Sequence, residues 1–199
     1  MSSRDAILGA VRAALAEAPP SAPEISRRYR ERAQPSQAEL VAQFVERVSD
    51  YRAVVVRCRP DEVAARLAEA IPSGASVIVP EGLRYDLPGA RVDRGEGAGE
   101  LDRLDAVVTQ ATLGIAETGT IVLTHGLGQG RRSLTLVPDR HVCVITVEQI
   151  VPGVVEAIAM LDPSSPTTWI SGPSATSDIE LQRVEGVHGP RTLHVIVVG

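Results

Sequence analysis

The stretch 53-AVVVRCRPDEVAARLAEAIPSGASVIVP-80 decides the fold class. AVVVRC at 53–58 is a short run, apolar but for Arg57, close to the pattern of a strand covered on both faces. Pro60 then opens a helix, DEVAARLAEA, whose first-turn acids suit the positive end of the helix dipole. ASVIVP at 75–80 reads as a second strand. Strand, helix and strand within 28 residues mark an α/β chain.

Working upstream, Ser36 and Glu39 form a capping box before a helix with Leu40, Val41, Phe44, Val45 and Val48 on its apolar face. Residues 3–17 predict another amphipathic helix, with Ser3 as cap and Ile7, Leu8, Val11 and Leu15 on one side. APPSAPEIS at 18–26 cannot continue it, because its prolines remove donors and force extended backbone. The expected organisation is therefore a helical arm and Pro-rich linker at 1–26 and one α/β domain at 27–199. The arm would pack on its own domain or on a neighbour's.

Downstream, residues 81–103 are glycine-rich and charged and read mostly as loop. Strands are then expected at 105–110, 120–125, 133–138 and 141–147, and a helix at 153–161 presenting Val154, Val155, Ile158 and Leu161. TTWIS at 167–171 and TLHVIVV at 192–198 complete the strands. Alternation early and late, with a hairpin-rich block between, implies a mixed, largely parallel sheet between helical layers. There is no internal repeat.

The chain has 199 residues, 44% hydrophobic and 23% charged, enough for a sheet buried on both faces and unlike a disordered chain. A net charge of −5 argues against a nucleic-acid partner, which calls for a basic face. Every cationic side chain is Arg; the absence of Lys excludes Schiff-base and P-loop lysine chemistry. Cys58 and Cys143 are the two cysteines, each within an apolar strand-like run, and two thiols cannot supply the usual four ligands of an iron–sulfur cluster. The expectation is buried core cysteines, no metal ligands and no cofactor of its own. The first residues alternate charged and apolar side chains, unlike a signal peptide, and no stretch approaches the ~20 apolar residues of a membrane span. The cytoplasm is the default compartment.

Three segments carry candidate chemistry. GLGQG at 126–130 does not match the dinucleotide fingerprint, since its spacing is GxGxG and a strand is expected to follow. It reads as a flexible connection, beside which Arg131 and Arg132 either meet an anionic ligand or sit in water. In GIAETGTIVLTH at 114–125, Glu117 is either a partly desolvated general base or a solvated turn residue. Thr118, Gly119 and Thr120 beside it offer hydroxyls, amides and close backbone approach to an anion. In ISGPSATSDIE at 170–180, Gly172-Pro173 makes a turn after a strand, and Ser174 or Thr176 can cap a short helix where an anion binds. Asp178 and Glu180 would orient groups there or complement the helix dipole.

GVHGPR at 186–191 holds His188 in a glycine-bounded loop, a better place for a site histidine than a strand. By the same reasoning His141 and His194 read as structural, and His125 stays open. Loops leaving strand ends converge at an edge of an open sheet, so Glu117, Thr120, Ser174, Asp178 and His188 are expected to line one cavity there.

AETGT at 116–120, LVPDRHVCVI at 136–145, SGPSATSDIE at 171–180 and GVHGPR at 186–191, in that order, resemble the LUD-domain family, in particular its lactate-utilization C group. The resemblance spans roughly residues 105–199, and the upstream helix and strands suit it. It implies a three-layer α/β/α sandwich like that of the glucosamine-phosphate isomerase, ribose-phosphate isomerase and CoA-transferase group. It also implies a part in bacterial oxidation of L-lactate to pyruvate, beside two companion proteins that look like the carriers of iron–sulfur clusters. The resemblance does not settle the chemical role of this group; on the reading of the segments above, Glu117, His188 and Asp178 are expected to be catalytic, and Thr118, Gly119, Thr120, Gly172, Ser174 and Arg131 to bind a small carboxylate or related anionic ligand. The alternatives are a non-catalytic assembly or regulatory subunit for the iron–sulfur partners, and a CoA-transferase or sugar-phosphate-isomerase-like enzyme.

Overall fold

A computed structural model describes residues 2–16, 35–176, 184–185 and 189–199. The chain divides into two units, Met1–Gln34 and Pro35–Gly199. In the first, α1 (Ser3–Leu15) is capped by Ser2 rather than the expected Ser3. Asp5, three residues into the helix, returns its carboxylate to the Ser2 N–H and closes the box. The expected linker at 18–26 lies outside the described residues.

The second unit begins with α2 (Gln37–Asp50), and its capping box is the one expected: Ser36 Oγ accepts from the Glu39 N–H and the Glu39 carboxylate accepts from the Ser36 N–H. There follow β1 (Val54–Cys58), a 3-10 turn at Pro60–Glu62, α3 (Val63–Ala70), β2 (Val77–Val79), β3 (Arg91–Val92), α4 (Ala98–Leu101) and β4 (Ala106–Gln110). Then come β5 (Leu113–Ile115), β6 (Thr120–Leu123), a 3-10 turn at Arg132–Thr135, β7 (Arg140–Thr146), β8 (Ile150–Val151) and α5 (Val154–Met160). The last elements are β9 (Thr168–Ile170), β10 (Ala175–Thr176), β11 (Val184–Glu185) and β12 (Thr192–Val198).

Six strands form the central sheet in the order β1-β12-β7-β4-β2-β3, every neighbouring pair parallel. β7 and β12 are buried on both faces, as their continuous apolar sequences require. β1 is an edge strand instead, and Val54 is exposed, so the apolar run at 53–58 is covered less than expected. One face of the sheet packs on α3 through Leu67, Val108, Val144 and Ile196. The other packs on α2, through Phe44 against Ile145 and Val195, and on a second sheet ordered β8-β5-β6-β9. α5 covers the outer side of that second sheet through Ala157, Val154 and Leu161. Helices thus flank the parallel sheet in a three-layer α/β/α arrangement, and among the described residues the antiparallel pairings are confined to the second sheet and to β10 with β11.

Four local expectations change. SLTLVP at 133–138 is not a strand: the chain makes a 3-10 turn that buries Leu134 against Ile78 and Val107. β5 was not expected, because Gly114 interrupts its apolar run; a Cβ there would stand 2.8 Å from both Phe44 Cε2 and Ile145 Cδ1, where α2 and the two sheets meet. On α5 the covered stripe centres on Ala157, leaving Val155 and Ile158 exposed. Residues 175–176 pair with 184–185 as strands, and the residues that the expected short helix would occupy beyond Thr176 lie outside the described residues.

Candidate functional site

β9 is the outer strand of the second sheet, held antiparallel to β6 in the register Leu123↔Thr168. Side chains alternate along it: Ile170 packs inward with the core and Trp169 sits opposite Val122 on the outer side, so Thr168 also points inward. Beneath β9 lie the amino ends of β7 and β12, contributing His141 and Leu193. The space between is a cavity of about 280 Å³ that also meets Arg132, Thr135, Ser171, Gly172, Ser174 and Gly189. It opens at the amino ends of two parallel strands rather than the carboxyl ends expected of an open α/β sheet. The cause is the second sheet, which folds back over that face.

The chemistry of this cavity is one-sided. Arg132 is the single guanidinium on its lining, and no carboxylate lines it among the described residues. Four hydroxyls surround the space, on Thr135, Thr168, Ser171 and Ser174. Arg132 Nη1 donates to Thr168 Oγ1 at 2.9 Å, its one acceptor among the described residues, leaving most of its five donors for a ligand. Thr168 is in turn 2.9 Å from His125 Nε2, and His125 Nδ1 is 2.9 Å from the Gly130 carbonyl oxygen. His141 is fully buried, its Nε2 lies 2.8 Å from Thr109 Oγ1, and burial pushes its pKa down to about 4, so it adds no charge at neutral pH.

The predicted residues divide among three places. Gly172 and Ser174 line the cavity. Thr118, Gly119 and Thr120 sit next to it through a hydroxyl chain: Thr118 Oγ1 is 2.7 Å from Thr120 Oγ1, which is 2.8 Å from Ser171 Oγ. The two glycines have packing roles here. Gly119, at φ 60, lies against Arg47 and Val48, and Gly172, at φ 79, lies against Tyr51, with no room for a Cβ at either. Both turns thus lean on the end of α2.

Glu117 is not on the cavity lining. Its N–H donates to the Pro152 carbonyl, and its Oε2 and that of Glu156 stand 3.1 and 3.0 Å from where a Cβ on Gly153 would be. Asp178 and His188 lie outside the described residues.

Arg131 is not on the cavity lining either. It grips Asp93 with two 2.9 Å hydrogen bonds and the Glu96 carbonyl with a third, and this guanidinium holds the Asp93 carboxyl down to about 2. The neighbouring GLGQG turn is fastened rather than loose. Gln129 Oε1 accepts from the Thr124 N–H and the Thr112 hydroxyl, and Gly128, at φ 74, lies against Gln110.

Thr168 and Ser171 were not singled out as ligand residues from sequence, and Arg132 stood open there between an anionic ligand and water. Arg132 is indistinguishable there from Arg131, and Thr168 and Ser171 sit in an ordinary strand and its exit. No local signal separates them.

Residues 79–198 match the family model described as LUD domain. The chain belongs to the LUD-domain family. A lactate utilization protein C from Deinococcus radiodurans is 49% identical over 173 residues, covering 82% of each chain. One from Macrococcus caseolyticus is 36% identical over 117 residues, covering 53% of this chain and 50% of that one. The crystal structure of a DUF162 family protein from Deinococcus radiodurans superposes with a TM-score of 0.71 at 41% identity, covering 83% of this chain and 99% of that one. The motifs that carry the LUD resemblance fall on the Gly119 turn, on β7 and on the cavity rim at Gly172–Ser174 and Gly189.

Cys58 and Cys143 are both buried, on strands separated by β12, and they belong to core clusters on opposite faces of the parallel sheet. Burial pushes the Cys143 thiol up to about 12. No described helix is long and apolar enough to cross a membrane.

Proposed function

We propose that this chain is a component of bacterial L-lactate utilization that binds a small carboxylate in the cavity under β9. The observation that carries the reading is the lining itself: one guanidinium, four hydroxyls and no acid among the described residues. Such a site favours an anion, and about 280 Å³ suits one of a few heavy atoms, below the usual range for drug-sized ligands. The lactate-utilization name of the relatives supplies the metabolic setting. Iron–sulfur clusters belong, in this reading, to partner proteins in the cytoplasm. Electrons leaving lactate would pass to those partners, while this chain holds or delivers the acid.

A second reading, a docking subunit for the same partners, draws support from the exposed Val155, Ile158 and Met160 of α5, over the outer side of the second sheet. Lactate-dependent dye reduction distinguishes the two, measured with the purified chain alone and then with its two iron–sulfur companions. The expected result is no turnover alone, turnover on reconstitution, and at least a ~10-fold loss with Arg132→Ala, the scale of a lost charge-assisted contact. Full reconstituted activity of Arg132→Ala would remove the cavity from the function and leave the docking role.

A further inference from the structure

The hydrogen bonds behind the cavity have a fixed sense. The Gly130 carbonyl can only accept, so the proton of a neutral His125 resides on Nδ1. Nε2 is then an acceptor, and the group 2.9 Å from it that can donate is the Thr168 hydroxyl. Arg132 Nη1–H donates to that same hydroxyl oxygen. In this state the only proton of Thr168 is committed to His125, and a carboxylate on Arg132 would meet a lone pair rather than a donor.

A proton on Nε2 reverses the sense. Nε2–H then donates to Thr168, the two lone pairs of Oγ1 are taken by His125 and Arg132, and the hydroxyl proton turns into the cavity. A bound carboxylate would gain a donor and a nearby positive charge together. We propose that a carboxylate binding at Arg132 draws one proton from solvent onto His125, with Thr168 as the reversing link. The inference rests on the reading of this cavity as an anion site.

His125 is a positioning residue here, since it acts on the ligand through Thr168. Two further features suit that role. The ring is anchored at both nitrogens, and its backbone is held at φ 60, unusual for a residue other than glycine. Arg132 reaches it through Thr168, Arg131 is tied to Asp93, and His141 on β7, pushed down to about 4 by burial, stays neutral in the range where imidazoles ordinarily titrate.

The test is calorimetric titration of the full chain with pyruvate and with L-lactate between about pH 6 and about pH 8, in phosphate-free buffers of different ionisation enthalpy. Coupling predicts uptake of up to one proton and an affinity that weakens with rising pH, by at most about tenfold per unit. His125→Asn, which tolerates the left-handed backbone, should bind with pH-independent affinity and no proton uptake, and Thr168→Val should do the same. Should Thr168→Val lose its cooperative melt, His125→Asn alone carries the comparison. Wild-type binding without pH dependence overturns the coupling but leaves the anion site standing. Uptake that persists in His125→Asn, by way of His188 or any other group, also overturns it. No binding of either acid at any pH overturns both the coupling and the site.

Discussion

Arg131 and Arg132 are adjacent in sequence and differ in every contact. One is spent on Asp93 and Glu96, which tie the turn to the β3 loop, and the other lines the cavity with Thr168 as its acceptor. At the same scale, His141 couples folding stability to pH. Its folded pKa lies near 4 because burial disfavours the imidazolium, whereas an unfolded imidazole titrates near 6.5. Between those values the unfolded chain binds a proton that the folded chain does not. This contribution to stability is therefore present above about pH 6.5 and lost as pH falls toward about 4, by up to ~3 kcal/mol. Urea unfolding midpoints should fall across that window, and less steeply in His141→Gln. His194 shifts in the same direction through burial, so the difference between the two slopes is what isolates His141; equal slopes would remove it from the account.

Among the elements, α1 is the one whose role is most open. It closes its own capping box, but a lone 13-residue helix has nothing on itself against which to bury Ile7, Leu8, Val11 and Leu15. The buried apolar core of the described residues begins at Leu40. Deleting residues 1–34 is expected to leave a cooperative melt within about 3 °C of the full chain; loss of cooperativity would make α1 integral to the core.

The elements also show what a sequence can carry. The capping box at Ser36, the helix opened by Pro60 and the apolar runs of β7 and β12 were legible because local chemistry and burial agree there. The 3-10 turn at Arg132–Thr135 and the strand at Leu113–Ile115 were not. Their conformations answer to neighbours distant in sequence, Ile78 and Val107 in one case, Phe44 and Ile145 in the other. The site divides in the same way. Gly172 and Ser174 were found from turn chemistry. Thr168 was missed and Arg132 left open, because only the pairing of β9 with β6 and the fold of the glycine turn bring them together.

For the molecule as a whole, the second sheet creates the site. A parallel sheet alone would offer its carboxyl-end crevice, but β5, β6 and β9 return across one face and roof the amino ends of β7 and β12. The outer side of that roof carries α5, and the inner side carries Thr168 above His141. The ligand surface and the exposed apolar surface are therefore two sides of the same four strands, and a ligand can be located by which side responds. The direct measurement is an amide NMR titration of the full chain with L-lactate. The account predicts saturable shifts at Thr168, Ser171, Gly172, Ser174 and Gly189, with Val155 and Ile158 unmoved, and loss of the response in Arg132→Ala. Saturable shifts centred instead on Glu117 and Gly153, or none at millimolar acid, would contradict it.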